Sequence, residues 1–488
     1  MEVHVLSSTV IPQGLPPTEN TKIPLTVFDR LAPGMHIAVL HAYMPPMPTN
    51  TALKDGLKKA LELFPTLAGQ LVENDDHCRP YISLGDNGGG VLVVETNVES
   101  ELVDILPLEP SPELVRFHPP VDEARHLLQV QLNRFSCGGL VIGLTAYHRV
   151  ADGKAISSFF IAWGKLVRGL HIDSFPVYDQ TMLIPRNPPR CDHDHWGIDF
   201  QPLPQPPSSL PSTFKLKKVH NMMVHYSGEF ISKIKAQMPR KHSTFDVLTG
   251  HLWKNITRAR GLDPDTLTQI RVAVNGRPRL WPAAPSEYFG NMVVNAYPRA
   301  RVKELTEGSV ADAARLLHDA VDRIGDGYIR SLIDFGAING GDVLVPVTDL
   351  EGPALCPNLE VVSWLGFPFR EVDFAEGGNL CAFAPTWVPV EGVVVLMPTL
   401  HGVGDGGVDV LLTLFEDHGK LFRQISHSLG VGHVLVIETM DIMEFTLQEK
   451  GLLPAVKSMK YRIKGFLHNI PDWMMPNVDQ LVPNNSFK

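Results

Sequence analysis

Eight prolines (Pro185, Pro188, Pro189, Pro202, Pro204, Pro206, Pro207 and Pro211) crowd one stretch of the chain. Proline fixes φ and carries no N–H, so such a stretch cannot run as a helix or a central strand. It predicts an extended connection over residues 185–213, with the Cys191-Asp192-His193-Asp194-His195 run inside it as a solvated polar patch. The connection divides the chain into residues 1–184, residues 214–430 and an extension, 431–488, to which no role is assigned. A length of 488 residues agrees, because about 150 residues per domain gives two or three domains. Hydrophobic residues at 44% and charged residues at 20% supply cores for both halves and exclude a disordered or fibrous chain.

Each half mixes the two hydrophobic periods. Val3 and Val5 alternate with polar neighbours, as a strand does. Leu53, Leu57, Ala60, Leu61 and Phe64 recur at helical spacing up to Pro65. Leu128, Val130 and Leu132 alternate with Gln129, Gln131 and Asn133, which predicts a half-buried strand. A turn at Ser136–Gly139 then leads to a second strand over Leu140–Ala146, so the pair reads as a hairpin. Ile156, Phe159, Phe160, Trp163 and Val167 share one face of a following helix. In the second half, Ser243 with Asp246, and Ser309 with Asp312, have capping-box spacing ahead of apolar helical runs. Strand-like runs cover Ile270–Val274, Met292–Asn295 and Val393–Leu396. The expected class is α/β, with two mixed-sheet domains of similar size.

The charge balance excludes some functions. Lys and Arg number 43 against 53 Asp and Glu. A chain this acidic lacks the basic footprint that a dedicated nucleic-acid binder needs. Five widely spaced cysteines with no CxxC argue against a disulfide framework or a structural zinc site. No metal is expected. Cys137 reads as a small buried apolar residue. The N-terminal residues show no basic region followed by an apolar run, and the longest apolar runs are strand-length. A soluble, cytoplasmic protein is expected.

The densest chemistry lies in Tyr147-His148-Arg149-Val150-Ala151-Asp152-Gly153. A strand delivers His148 to a turn, and a helix follows. A histidine at a strand end can project into a cleft and act as a general base near neutral pH. Asp152 could orient His148, hold the loop through a basic residue, or cap the helix. His401-Gly402-Val403-Gly404-Asp405 repeats the spacing after another apolar strand, and local physics barely separates the two.

An ordered set of segments separates them. Gln131–Leu140 runs into His148-Arg149-Val150-Ala151-Asp152-Gly153. Ser243-Thr244-Phe245, Val272–Arg279, Tyr288-Phe289-Gly290-Asn291 and Ser363–Phe369 before Asp373-Phe374 follow in order. Together they resemble the plant BAHD acyl-CoA-dependent acyltransferases. Ile324–Tyr328, Pro357–Val361 and Pro389–Gly392 look like the branch that transfers hydroxycinnamoyl groups to agmatine, putrescine and tryptamine. His401 does not match a histidine position of that family.

The resemblance implies a fold like chloramphenicol acetyltransferase, with a channel between two halves. It implies His148 as general base and a structural Asp152 paired with an arginine, Arg277 or Arg279. Acyl-CoA would be a co-substrate, no cofactor would be needed, and the protein would be a monomer. The acceptor would be a small amine, or an alcohol such as shikimate; the remaining alternative is a catalytically inactive binding relative. Ser363 and Trp364 resemble pocket residues. Ser243 and Thr244, at a helix start, and Lys254 are candidates for the CoA phosphates. Shikimate-using relatives hold the acceptor carboxylate with an arginine upstream of the Ser-Trp pair, and the corresponding residue here is Asp349. Asp349, Glu360 and Glu371 would favour a cationic acceptor. The family's Asp-Phe-Gly-Trp-Gly reads Asp373-Phe374-Ala375-Glu376-Gly377 here, so Asp373 is expected to support architecture.

Overall fold

Alternating apolar residues in both halves build two mixed β-sheets. The computed structural model describes residues 1–428 except 13–20, 74–79, 86–88, 122–124, 203–217, 341–343, 351, 376–379, 387 and 401–405, and describes only the backbone of 202, 349 and 350. Residues Met1–His427 form one body. The extension, 431–488, lies outside the described residues.

The first sheet has six strands in the order Val3–Ile11, Val91–Val98, Leu128–Phe135, Leu140–Tyr147, His36–Tyr43 and Leu380–Pro385. Only Val91–Val98 and Leu128–Phe135 pair in parallel. The Asn50–Leu63 and Gly153–Val167 helices supply Leu53, Leu57, Leu61, Phe159 and Trp163 to the core over this sheet. The second sheet runs Val219–Tyr226, Val408–Phe415, Val393–Pro398, Leu359–Ser363, Leu267–Asn275 and Val293–Ala296. The Thr244–Arg260 helix lies over it. This helix is capped by the predicted Ser243–Asp246 box and stopped by Gly261 at φ 58°, where a left-handed residue ends the helix. Its Leu248, Leu252, Trp253 and Ile256 lie in the second core.

One local expectation fails, and a second holds only in part, for the same reason. The Leu128–Phe135 strand is buried on both faces, with Gln129, Gln131 and Asn133 each under a tenth exposed. The segment ahead of it covers the polar face. Gln129 Nε2 donates to the Pro120 carbonyl at 3.0 Å, Gln131 Nε2 to that of Arg116 at 2.8 Å, and Asn133 Nδ2 to that of Phe117 at 2.9 Å. Polar side chains with such partners tolerate burial. The proline-rich connection is mostly exposed over its first half but is anchored at a few points. Phe200–Pro202 pairs with Leu344–Pro346, and Phe200 is fully buried. His195 is buried, with Nδ1 at 2.8 Å from Asp199 Oδ2 and Nε2 at 2.9 Å from Ser331 Oγ. Ser331 Oγ also accepts from the backbone N–H groups of Asp192 and His193, and Arg186 pairs with Asp334 at 2.5 Å. Of the predicted solvated patch, Cys191, Asp192, His193 and Asp194 are exposed as expected, while His195 is buried and fastens the segment to the Asp326–Ile338 helix. Proline density limits the local backbone and says nothing of what packs against it.

Candidate active site

The Leu140–Tyr147 strand ends one residue before His148, and the turn that follows is fixed from several directions. The His148 N–H donates to the Met35 carbonyl at 2.9 Å, and its carbonyl accepts from Asn291 Nδ2 at 2.9 Å. The imidazole lines a cavity of about 460 Å³ whose walls come from both sheets. Its Nδ1 is buried without a hydrogen-bond partner.

Asp152 combines two of the roles left open by the sequence. Its Oδ1 caps the Gly153–Val167 helix by accepting from the Ala155 N–H at 3.0 Å. Its two oxygens also take Arg277 Nη1 and Nη2 at 2.7 and 3.2 Å, and Oδ2 accepts from the Met292 N–H. No bond from Asp152 to the His148 ring is present among the described residues. Arg277 further donates to the Tyr288 and Gly290 carbonyls. Gly290 sits at φ 144°, which a side chain would resist, and this turns its carbonyl toward Arg277. Arg279 does something else. It donates to the Val321 and Ile324 carbonyls, at the end of the Val310–Asp322 helix, where a cation complements the helix dipole.

The acceptor-side expectations divide. Glu360, Ser363 and Trp364 all line the cavity. Glu360 Oε2 accepts from Arg271 Nη2 at 2.6 Å, and Oε1 has no partner among the described residues. The Asp349 side chain lies outside the described residues, although its neighbour Thr348 lines the cavity. Glu371 is exposed and is not among the described cavity residues. His401 lies outside the described residues.

The CoA-phosphate expectation fails for Lys254. The side chain is buried, and Nζ donates to the carbonyls of Leu305, Thr306 and Gly308, closing the Val302–Glu307 helix. Burial, aided by the Arg258 charge, pushes its pKa down to about 8. Ser243 serves as the helix cap, and Thr244 Oγ1 accepts from Lys235 Nζ at 2.7 Å. None of the three is among the described cavity residues. Asp373, expected to support architecture, is not among the described cavity residues. It pairs with Arg168 at 2.7 Å near the end of the Gly153–Val167 helix, and the adjacent Phe374 is fully buried against Trp163. Cys137 is exposed at the hairpin turn, not buried.

Several site residues went unread in the sequence. His41, in the His36–Tyr43 strand, lines the cavity with both ring nitrogens buried and unpartnered. Burial pushes its pKa down to about 3, so it stands neutral. It packs on Phe160, Phe369 and Phe383 at ring distances of 4.4, 5.9 and 6.2 Å. Gly153, already part of the His148 motif, is needed for space: a Cβ there would fall 2.5 Å from the Phe367 ring in the cavity wall. Arg271, a charge inside an apolar strand pattern, was the one visible signal of this kind.

The family model described as the Transferase family matches residues 1–428. The chain belongs to the BAHD acyltransferase family. It is an acyl-CoA-dependent acyltransferase. Among curated BAHD relatives, putrescine hydroxycinnamoyltransferase 3 of Oryza sativa subsp. japonica is 38% identical over 88% of this chain and 100% of its own length. Tryptamine hydroxycinnamoyltransferase 2 of the same plant is 39% identical, covering 83% and 93%. Agmatine coumaroyltransferase-1 of Hordeum vulgare is 37% identical, covering 83% and 93%. Two solved structures carry the same fold. Vinorine synthase superposes with a TM-score of 0.66 at 20% identity over 86% of this chain and 96% of its own. TRI101 of F. sporotrichioides, complexed with coenzyme A and T-2, does so with 0.65 at 18%, covering 83% and 97%. Among the described residues no helix is long and apolar enough to cross a membrane.

Proposed function

We propose that this BAHD acyltransferase moves a hydroxycinnamoyl or related aromatic acyl group from CoA to a small amine, with His148 as general base. The observation that carries the reading is the pairing, in one cavity, of His148 with the carboxylate of Glu360. The amine acceptors in the names of three relatives at 37–39% identity support it. A thioester is already activated, so no acyl-enzyme is required. His148 removes a proton as the amine nitrogen attacks the thioester carbonyl. The C–N bond forms, and the carbonyl oxygen becomes an oxyanion. Developing charge there calls for preorganised donors, a role suited to the Ser363 hydroxyl and the Trp364 indole. Collapse breaks the C–S bond, and the imidazolium returns its proton to the CoA thiolate. Glu360 attracts the cationic acceptor. Phe160, Phe367 and Phe369 form an aromatic wall for the acyl ring, with the unpaired nitrogens of His41 available to a ring hydroxyl.

The test is release of CoA thiol from p-coumaroyl-CoA, with agmatine, putrescine, tryptamine and shikimate offered separately and His148→Ala beside each. Turnover with an amine, lost in the variant, is expected. Turnover with shikimate alone would keep the mechanism and overturn the acceptor class.

A further inference from the structure

Away from the cavity, three side chains converge where the Thr244–Arg260 helix begins. His242 precedes the N-cap, Asp246 lies in the first turn, and His318 comes from the Val310–Asp322 helix. His318 Nδ1 lies 3.5 Å from Asp246 Oδ2, and His242 Nδ1 lies 4.0 Å from the same oxygen. The three ligand atoms all fall within 4.8 Å of one another. The His242 side chain is 2% exposed, and its Nδ1, facing this group, is buried with no hydrogen-bond partner. An unsatisfied buried nitrogen costs free energy unless something occupies the space before it. Asp246 Oδ2 also accepts from the Ser243 N–H at 3.2 Å, which orients the carboxylate as second-sphere bonds orient metal ligands.

We propose that His242, Asp246 and His318 bind one Zn²⁺ ion that ties the start of the Thr244–Arg260 helix to the Val310–Asp322 helix. Two imidazole nitrogens and a carboxylate suit zinc in type and number, with water as fourth ligand. Bonds of about 2.0–2.2 Å place tetrahedral ligand atoms about 3.3 Å apart. Small rotations of the Asp246 carboxylate and of His318, whose side chain is 49% exposed, close the remaining gaps, and the exposure of His318 leaves a path from solvent. Metal on Nδ1 requires a hydrogen on Nε2 of His242. Arg240 Nε now faces that atom at 3.4 Å and would turn away, toward Asp319, which its Nη2 already approaches at 3.5 Å. None of the three ligands is among the described cavity residues, so the ion would clamp helices and take no part in acyl transfer. No sequence spacing announces it, because His318 lies 72 residues beyond Asp246 and 76 beyond His242.

The test uses the full chain, stripped with EDTA and titrated with Zn²⁺ by calorimetry. Co²⁺ absorption reports the geometry. One equivalent is expected, with a zinc-dependent rise in Tm. His318→Ala, at an exposed position, should weaken binding at least about tenfold and abolish the rise. His4→Ala is the control, because Glu2, His4 and Glu99 form another, fully exposed cluster. Undetectable binding, binding unchanged in His318→Ala, or binding lost in His4→Ala would each overturn the proposal.

Discussion

Asp152 and Arg277 meet face to face at 2.7 and 3.2 Å, joining the helix that follows His148 to the loop after the Leu267–Asn275 strand. Both side chains are 2% exposed. The pair thus fixes the two sheets at the cavity instead of relaying protons. Removing one partner leaves a buried charge without its complement, which costs about 3–5 kcal/mol. Arg277→Ala should lose that much stability in urea denaturation. An unchanged midpoint would show that the pair holds nothing together.

His148 behaves differently. Its Nδ1 has no partner to lose, so His148→Ala should leave Tm nearly unchanged while turnover falls by about 10²–10⁴. Thermal unfolding beside a CoA-release assay separates the two readouts.

Glu360→Gln removes the charge but keeps the shape. A charge-assisted contact contributes about 1.5–3 kcal/mol. The substitution should therefore lower kcat/KM for a cationic amine by at least about tenfold and spare an uncharged acceptor. Equal losses for both would locate the effect in the Arg271 pair instead.

Lys254→Met should destabilise the chain by about 1.5–3 kcal/mol, through three unsatisfied carbonyls, without raising KM for acyl-CoA. A large rise in KM with unchanged stability would restore the phosphate-binding expectation.

Acid sensitivity follows from two buried histidines. Burial pushes His41 down to about 3 and His251 down to about 4, the latter despite its bond to the Ser426 carbonyl. In the unfolded chain both take up a proton near pH 6.5. Below that pH the unfolded state binds more protons, so stability falls as pH falls. Each histidine contributes up to about 1.4 kcal/mol per pH unit, His251 down to about pH 4 and His41 down to about pH 3. His41→Leu should flatten the dependence between pH 6.5 and 4 in urea titrations. An unaltered slope would mean that His41 is protonated in the folded state.

The sequence carried what is local. The hairpin ending at His148 and the Ser243 and Ser309 caps were legible because spacing along one element decides them. The choice of Arg277 over Arg279 was not, because the two lie on the same short turn and only packing aims them apart. Lys254 and Gln131 misled for a related reason. A polar residue looks solvent-facing until the segment that supplies its partners, distant in sequence, is known. His41 gave no signal at all, since its role depends on three phenylalanines gathered from two other regions of the chain.

The Leu380–Pro385 strand lies on the edge of the first sheet, although it follows most of the second in the chain. The protein is thereby laced twice, once through the proline-rich stretch and once through this returning strand. A truncation ending before residue 380 would bare the His36–Tyr43 edge, with its row of unpaired N–H and C=O groups open to any passing strand. Splitting such an enzyme for two-fragment complementation would work poorly at the proline run, where the composition invites it.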